Sequence, residues 1–72
     1  MKFEVGKVYK HISGRIMHII GVLQTTLYGW CLIAECSGED DLKTVRQDET
    51  ATQNWSESTM DEWKNYVCRY GS

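Results

Sequence analysis

Proline is absent from this chain, so every strand at the rim of a sheet keeps its full set of backbone donors. Histidine occurs only at His11 and His18, and cysteine only at Cys31, Cys36 and Cys68. An odd cysteine number without any C-x-x-C pair fits neither a disulfide framework nor the usual zinc spacings. None of the three opens a helix, where a thiolate would be stabilised, so they read as small buried hydrophobes. The longest apolar runs, 16–23 and 30–34, are too short to cross a bilayer. The first residues lack an apolar leader segment and carry Glu4. These absences predict a cytoplasmic protein with no membrane association, no metal and no cofactor. Phosphate-cradling glycine loops and spaced acid–base or nucleophile sets are missing too, so no catalytic residue is expected and the chain reads as a non-enzyme.

What is present suits one small domain spanning residues 1–72. A chain of this size buries only about 60% of its unfolded surface, which makes its stability marginal. Eight aromatic residues (Phe3, Tyr9, Tyr28, Trp30, Trp55, Trp63, Tyr66 and Tyr70) offer large buried area and offset that weakness. The net charge of −2 is unevenly spread. Residues 1–23 carry Lys2, Lys7, Lys10 and Arg15 against Glu4, while residues 24–72 carry four bases and nine acids. Such asymmetry steers a charged partner only if folding leaves the two signs apart.

Glycine divides the first half of the chain into β-rich segments. Val8, Tyr9 and Ile12 predict a first strand over 7–12, and Ser13-Gly14 signals a hairpin. A second strand over 15–25 has apolar residues on both parities, which predicts cover on both faces for part of its length. Gly21 inside it marks a bulge or bend. The third strand, 30–36, places Trp30, Leu32, Ala34 and Cys36 on one face and Cys31, Ile33 and Glu35 on the other. A polar turn over 37–40 leads to a short fourth strand, 42–46. Residues 47–52 read as a solvated loop, and Gln53-Asn54-Trp55 as a fifth strand.

The end of the chain changes period. Thr59-Met60-Asp61-Glu62 matches a capping box, with Thr59 capping and Glu62 reaching back. Met60, Trp63, Val67 and Tyr70 recur at helical spacing with Tyr66 at the stripe's edge, and Gly71 supplies the stop. A helix of about eleven residues is marginal alone, so its Trp63 face must dock on the sheet. The fold expected is mainly β: a five-stranded, mostly antiparallel SH3-like barrel or strongly bent sheet closed by one C-terminal helix. An open α+β sheet with the helix across one face is the alternative.

Candidate chemistry is sparse. A two-residue turn at Ser13-Gly14 would put His11 and His18 on one face, whereas an Ile12-Ser13-Gly14 loop would put them on opposite faces. The Glu39-Asp40-Asp41 run does not fit a calcium loop. Tyr28, Trp30 and Trp55 stand at strand ends, where aromatics either form a ligand platform or seal the core. Tyr9, His11 and Arg15, with Lys7 and Lys10, make a basic-aromatic hairpin compatible with single-stranded nucleic acid, although the pI near 5.5 argues against a strong electrostatic footprint. The candidate binding residues are therefore Tyr9, His11, Arg15, Tyr28, Trp30 and Trp55.

The stretches 3–14 (FEVGKVYKHISG), 25–30 (TTLYGW), Ala34-Glu35, 41–45 (DLKTV) and 54–63 (NWSESTMDEW) resemble short, largely uncharacterised accessory proteins of bacteriophages and prophages. The resemblance spans nearly the whole chain but rests on pattern and transfers no residue role. It implies action in the host cytoplasm by binding or inhibiting a host or defence protein. The strand plan also resembles SH3-like small barrels of the KOW and Tudor type, which bind peptides or nucleic acids through rim aromatics. The function expected is a phage-type protein-binding module. A nucleic-acid- or nucleotide-binding module using the 7–15 hairpin is the alternative. Proline-free edges leave a homo-oligomer open as well.

Overall fold

Alternating apolar residues build five strands: β1 (Val8–His11), β2 (Ile16–Thr25), β3 (Gly29–Cys36), β4 (Lys43–Val45) and β5 (Trp55–Glu57). One helix, α1 (Met60–Tyr70), follows them in the computed structural model, which describes residues 2–27, 29–46 and 52–70. Every strand pair is antiparallel, in the order β4-β3-β2-β1-β5. β4 and β5 form the two edges and do not pair with each other, so the sheet stays open rather than closing into a barrel. β5 starts two residues later than its sequence pattern suggests. Asn54 takes φ 71°, a left-handed turn that asparagine tolerates, and the chain becomes extended only at Trp55.

The first hairpin turns through Ile12-Ser13-Gly14. The His11 amide donates to the Arg15 carbonyl at 2.8 Å, the Gly14 amide donates to the His11 carbonyl at 2.9 Å, and Gly14 has φ 97°. A side chain would be strained there. This three-residue loop pairs Tyr9 with Met17 and Val8 with His18. His11 and His18 therefore lie on opposite faces.

That register divides the apolar residues between two small cores. On the first face Tyr9, Met17, Ile19, Leu32, Ala34 and Cys36 pack together under Phe3, with Val45 and Trp55 at the margin. The Phe3 ring meets Tyr9 edge-on at 4.8 Å. The Tyr9 hydroxyl accepts the Glu4 amide at 2.8 Å and donates to the Lys2 carbonyl, which straps the N-terminal segment down. On the second face Val8 and Ile16 receive Trp63 of α1, flanked by Met60 and Tyr66.

The helix docks through Met60 and Trp63, as its spacing suggests, but with Tyr66 rather than Val67 completing the buried face. Trp63 is 8% exposed, Tyr66 packs beside it, and Val67 is 43% exposed. The Tyr66 hydroxyl accepts the Gly38 amide at 2.8 Å, and this tie to the β3–β4 turn draws Tyr66 inward. Tyr70's side chain and Gly71 lie outside the described residues, as does most of the loop expected over 47–52. The Glu62 amide donates to Thr59 Oγ1 at 3.2 Å, so the cap forms. The Glu62 carboxylate does not close the box on the Thr59 amide. It accepts the Ser58 hydroxyl at 2.7 Å and pairs with Lys10 at 3.1 Å, which joins the helix start to β1.

Two outcomes follow from this packing. Trp63→Ala removes the helix's anchor and is expected to cost about 3–5 kcal/mol, most of a small domain's stability, whereas Val67→Ala stays within about 0.5 kcal/mol. Urea unfolding followed by circular dichroism separates the two. The Ser58 hydroxyl and the Lys10 ammonium hold the Glu62 carboxyl below its usual range. A depressed carboxyl contributes stability above its unfolded pKa and loses it as pH falls through the folded value. The melting temperature of Glu62→Gln is therefore expected to lie below wild type at neutral pH, with the gap closing below about pH 4.

Candidate functional site

The six residues proposed from sequence do not converge. Tyr9 is 1% exposed and belongs to the core, so its ring is unavailable to a ligand. His11 stacks edge-on against Trp55 at 4.9 Å where β1 meets β5, and its Nδ1 shares a hydrogen bond with the Ser13 hydroxyl at 2.9 Å. Trp55 also packs on Phe3 and closes the margin of the first core. Arg15 stands at the opposite end of β2 from Trp30, which pairs with Gln24. Nine residues of strand separate Arg15 from Gln24, roughly 30 Å. Tyr28 lies outside the described residues.

The basic residues of the first hairpin are paired with acids from elsewhere. Lys7 contacts Glu4 at 2.9 Å and Glu57 at 3.0 Å, which pushes its pKa upward. Lys10 meets Glu62. Arg15 meets Glu39, which Lys43 also reaches at 3.2 Å, and Lys43 and Arg15 hold the Glu39 carboxyl below its ordinary range. Such exposed pairs stabilise little, but they intermix the charge that the sequence keeps apart.

The polar end of the molecule is shallow. Ser13, Gly14, Arg15, Ser37, Gly38 and Tyr66 line an open depression of about 450 Å³. Its turn groups are already used: Ser37 Oγ accepts the Ile16 amide and Tyr66 accepts the Gly38 amide. His18 Nδ1 lies 3.1 Å from Glu35 and its ring tilts against Trp63 at 5.6 Å. Burial pushes the Cys36 thiol upward, away from a reactive thiolate. Among the described residues no group of three His, Cys, Asp or Glu is placed to hold a metal ion.

A different surface stands out. β2 and β3 are far longer than their neighbours. Pairing with the β1 segment ends at Ile19, whose amide donates to the Lys7 carbonyl and whose carbonyl accepts the Gly6 amide. β4 covers only Leu32, Ile33 and Ala34 of β3. A bulge between Ile19 and Gly21 marks where β1 leaves β2; β4 still flanks β3 opposite Gly21 and Val22, and from Leu23 onward the hairpin continues as a two-stranded ribbon. Ile20, Val22, Leu23, Leu27 and Trp30 are all exposed along this projecting part of the hairpin, Trp30 by 67%. Val22 and Trp30 share the Phe3 side of the sheet, and Leu23 lies on the helix side.

No Asp, Glu, Lys or Arg occurs from Ile16 to Ala34. That charge-free run, longer than the flanking strands can cover, is the sequence signal that marks the ribbon. Residue-by-residue reading found Trp30 but passed over Ile20, Val22, Leu23 and Leu27. No helix among the described residues is long and apolar enough to cross a membrane. Set against family models, curated proteins and solved structures, the chain has no match.

Proposed function

We propose that this chain is a non-enzymatic protein-binding module that engages its partner through the projecting β2–β3 ribbon. The observation that carries the reading is the joint exposure of Val22, Leu27 and Trp30 on a stretch without charge. Single exposed hydrophobes are ordinary, whereas a contiguous apolar patch on a small domain marks a contact surface. Tryptophan at such a patch is the residue type that most often dominates binding energy. The phage-like sequence pattern makes a host or defence protein in the bacterial cytoplasm the proposed target, with inhibition by occlusion as the mode of action. The nucleic-acid alternative is less well supported, because Lys7, Lys10 and Arg15 are paired with carboxylates and Arg15 stands at the opposite end of β2 from Trp30.

The test is affinity purification from an expressing bacterial host, with wild type and Trp30→Ala side by side. Wild type is expected to retain a stoichiometric protein, and Trp30→Ala to bind it about 30-fold more weakly, the effect of losing a contact worth about 2 kcal/mol. Equal retention by both proteins, or no stoichiometric partner from several hosts, contradicts the reading.

A further inference from the structure

Edges of sheets are ordinarily blunted against self-pairing by shortness or by charge. β4 is three residues long and carries Lys43; β5 is three residues long and carries Glu57. The outer edge of β2 has neither protection. Beyond Ile19 it continues through Ile20, Gly21, Val22, Leu23 and Gln24, and no strand among the described residues pairs with it there. These five residues have no charge and no proline, and Ile20, Val22 and Leu23 are each roughly half exposed.

We infer that a second copy of this chain occupies that edge, pairing β2 with β2 in antiparallel fashion to join two five-stranded sheets into one. The occupant follows from charge. A foreign strand bearing charges would meet no counter-charge along Ile16–Ala34, whereas an identical neutral edge meets itself without like-charge contacts. It follows from symmetry as well. A two-fold axis normal to the sheet makes the strands antiparallel and keeps equivalent faces on the same side. Val22 then adjoins its own mate on the Phe3 side, and Leu23 adjoins its mate on the helix side, directly opposite or diagonally.

Area sets the strength. Five edge residues, with Ile20, Val22 and Leu23 each roughly half exposed, bury less than the roughly 600 Å² per copy at the low end of specific association, so the pairing is weak. A dimer of micromolar affinity is the expected consequence. Pairing along the β2 edge leaves Leu27 and Trp30 outside the seam, so the dimer presents two copies of the patch assigned to the partner. The inference rests on reading the ribbon as a contact surface, and its test is independent of partner capture.

Sedimentation at chain concentrations from about 1 to 100 μM, the range that brackets such an interface, measures the mass of wild type, Leu23→Lys and Leu23→Glu. Wild type is expected to move from one chain mass to two across that range. Each variant is expected to remain a monomer, and an equimolar mixture of the two to regain the double mass, because lysine then faces glutamate across the axis. A monomeric wild type at the highest concentration overturns the proposal, as does a dimer that both variants preserve. If circular dichroism shows either variant unfolded, the same comparison is made with Val22→Lys and Val22→Glu and judged by the same outcomes. A monomer that still captures a partner through Trp30 removes only the dimer; a Leu23-dependent dimer that captures nothing removes only the partner reading.

Discussion

Both cores depend on how the chain turns through Ile12, Ser13 and Gly14. Gly14 at φ 97° permits a three-residue loop, and the loop sets Tyr9 opposite Met17 and Lys10 opposite Ile16. With the register slipped by one, every β1 side chain would change face relative to β2. Tyr9 could no longer meet Met17 and Ile19 under Phe3, and Val8 could no longer join Ile16 beneath Trp63. A chain of 72 residues has too little buried area to tolerate that loss. The same register separates His11 from His18 and sends one to Trp55 and the other to Glu35 and Trp63. One glycine-dependent turn thus governs packing and chemistry together.

Much of the architecture was legible because local signals agreed with one another. Strand boundaries follow the glycines and polar turns to within a residue or two, and the helix runs from the residue after Thr59. What was not legible depends on contacts distant in sequence. Spacing alone placed Val67 on the buried stripe, but the bond from the Gly38 amide brings Tyr66 in instead. Glu62 was assigned to its own helix's first amide, but Lys10 and Ser58 compete for the carboxylate and win. Tyr9 read equally well as a surface aromatic until the N-terminal strap covered it. Whether five strands close or stay open depends on the mutual position of β4 and β5, which no local pattern encodes.

The candidate site shows the opposite bias. Reading by chemical type favoured aromatics and bases, which are conspicuous one at a time. Folding then spent most of them: Tyr9 and Trp55 on the first core, and Lys7, Lys10 and Arg15 on Glu4, Glu57, Glu62 and Glu39. The surface left over is defined by aliphatic residues and by missing charge, a property of a segment rather than of any residue. Its exposure follows from strand length, since β1 and β4 are too short to cover all of β2 and β3. The ribbon is the stretch where a proline-free, neutral edge and exposed side chains coincide, and it gives a small domain contact area that its core does not consume.

Backbone amide exchange along β2, measured at low and high chain concentration, tests this account most directly. Val8–His11 and Ile16–Ile19 sit within the paired sheet and are expected to exchange slowly at both concentrations. Within Ile20–Gln24 the amides directed away from β3 are expected to exchange quickly when dilute and to gain protection as concentration rises, whereas those bonded to β3 stay protected at both concentrations. Protection of those outward-directed amides that is already strong when dilute and unchanged by concentration would show the edge covered within one chain, and the ribbon would lose its place as a contact surface.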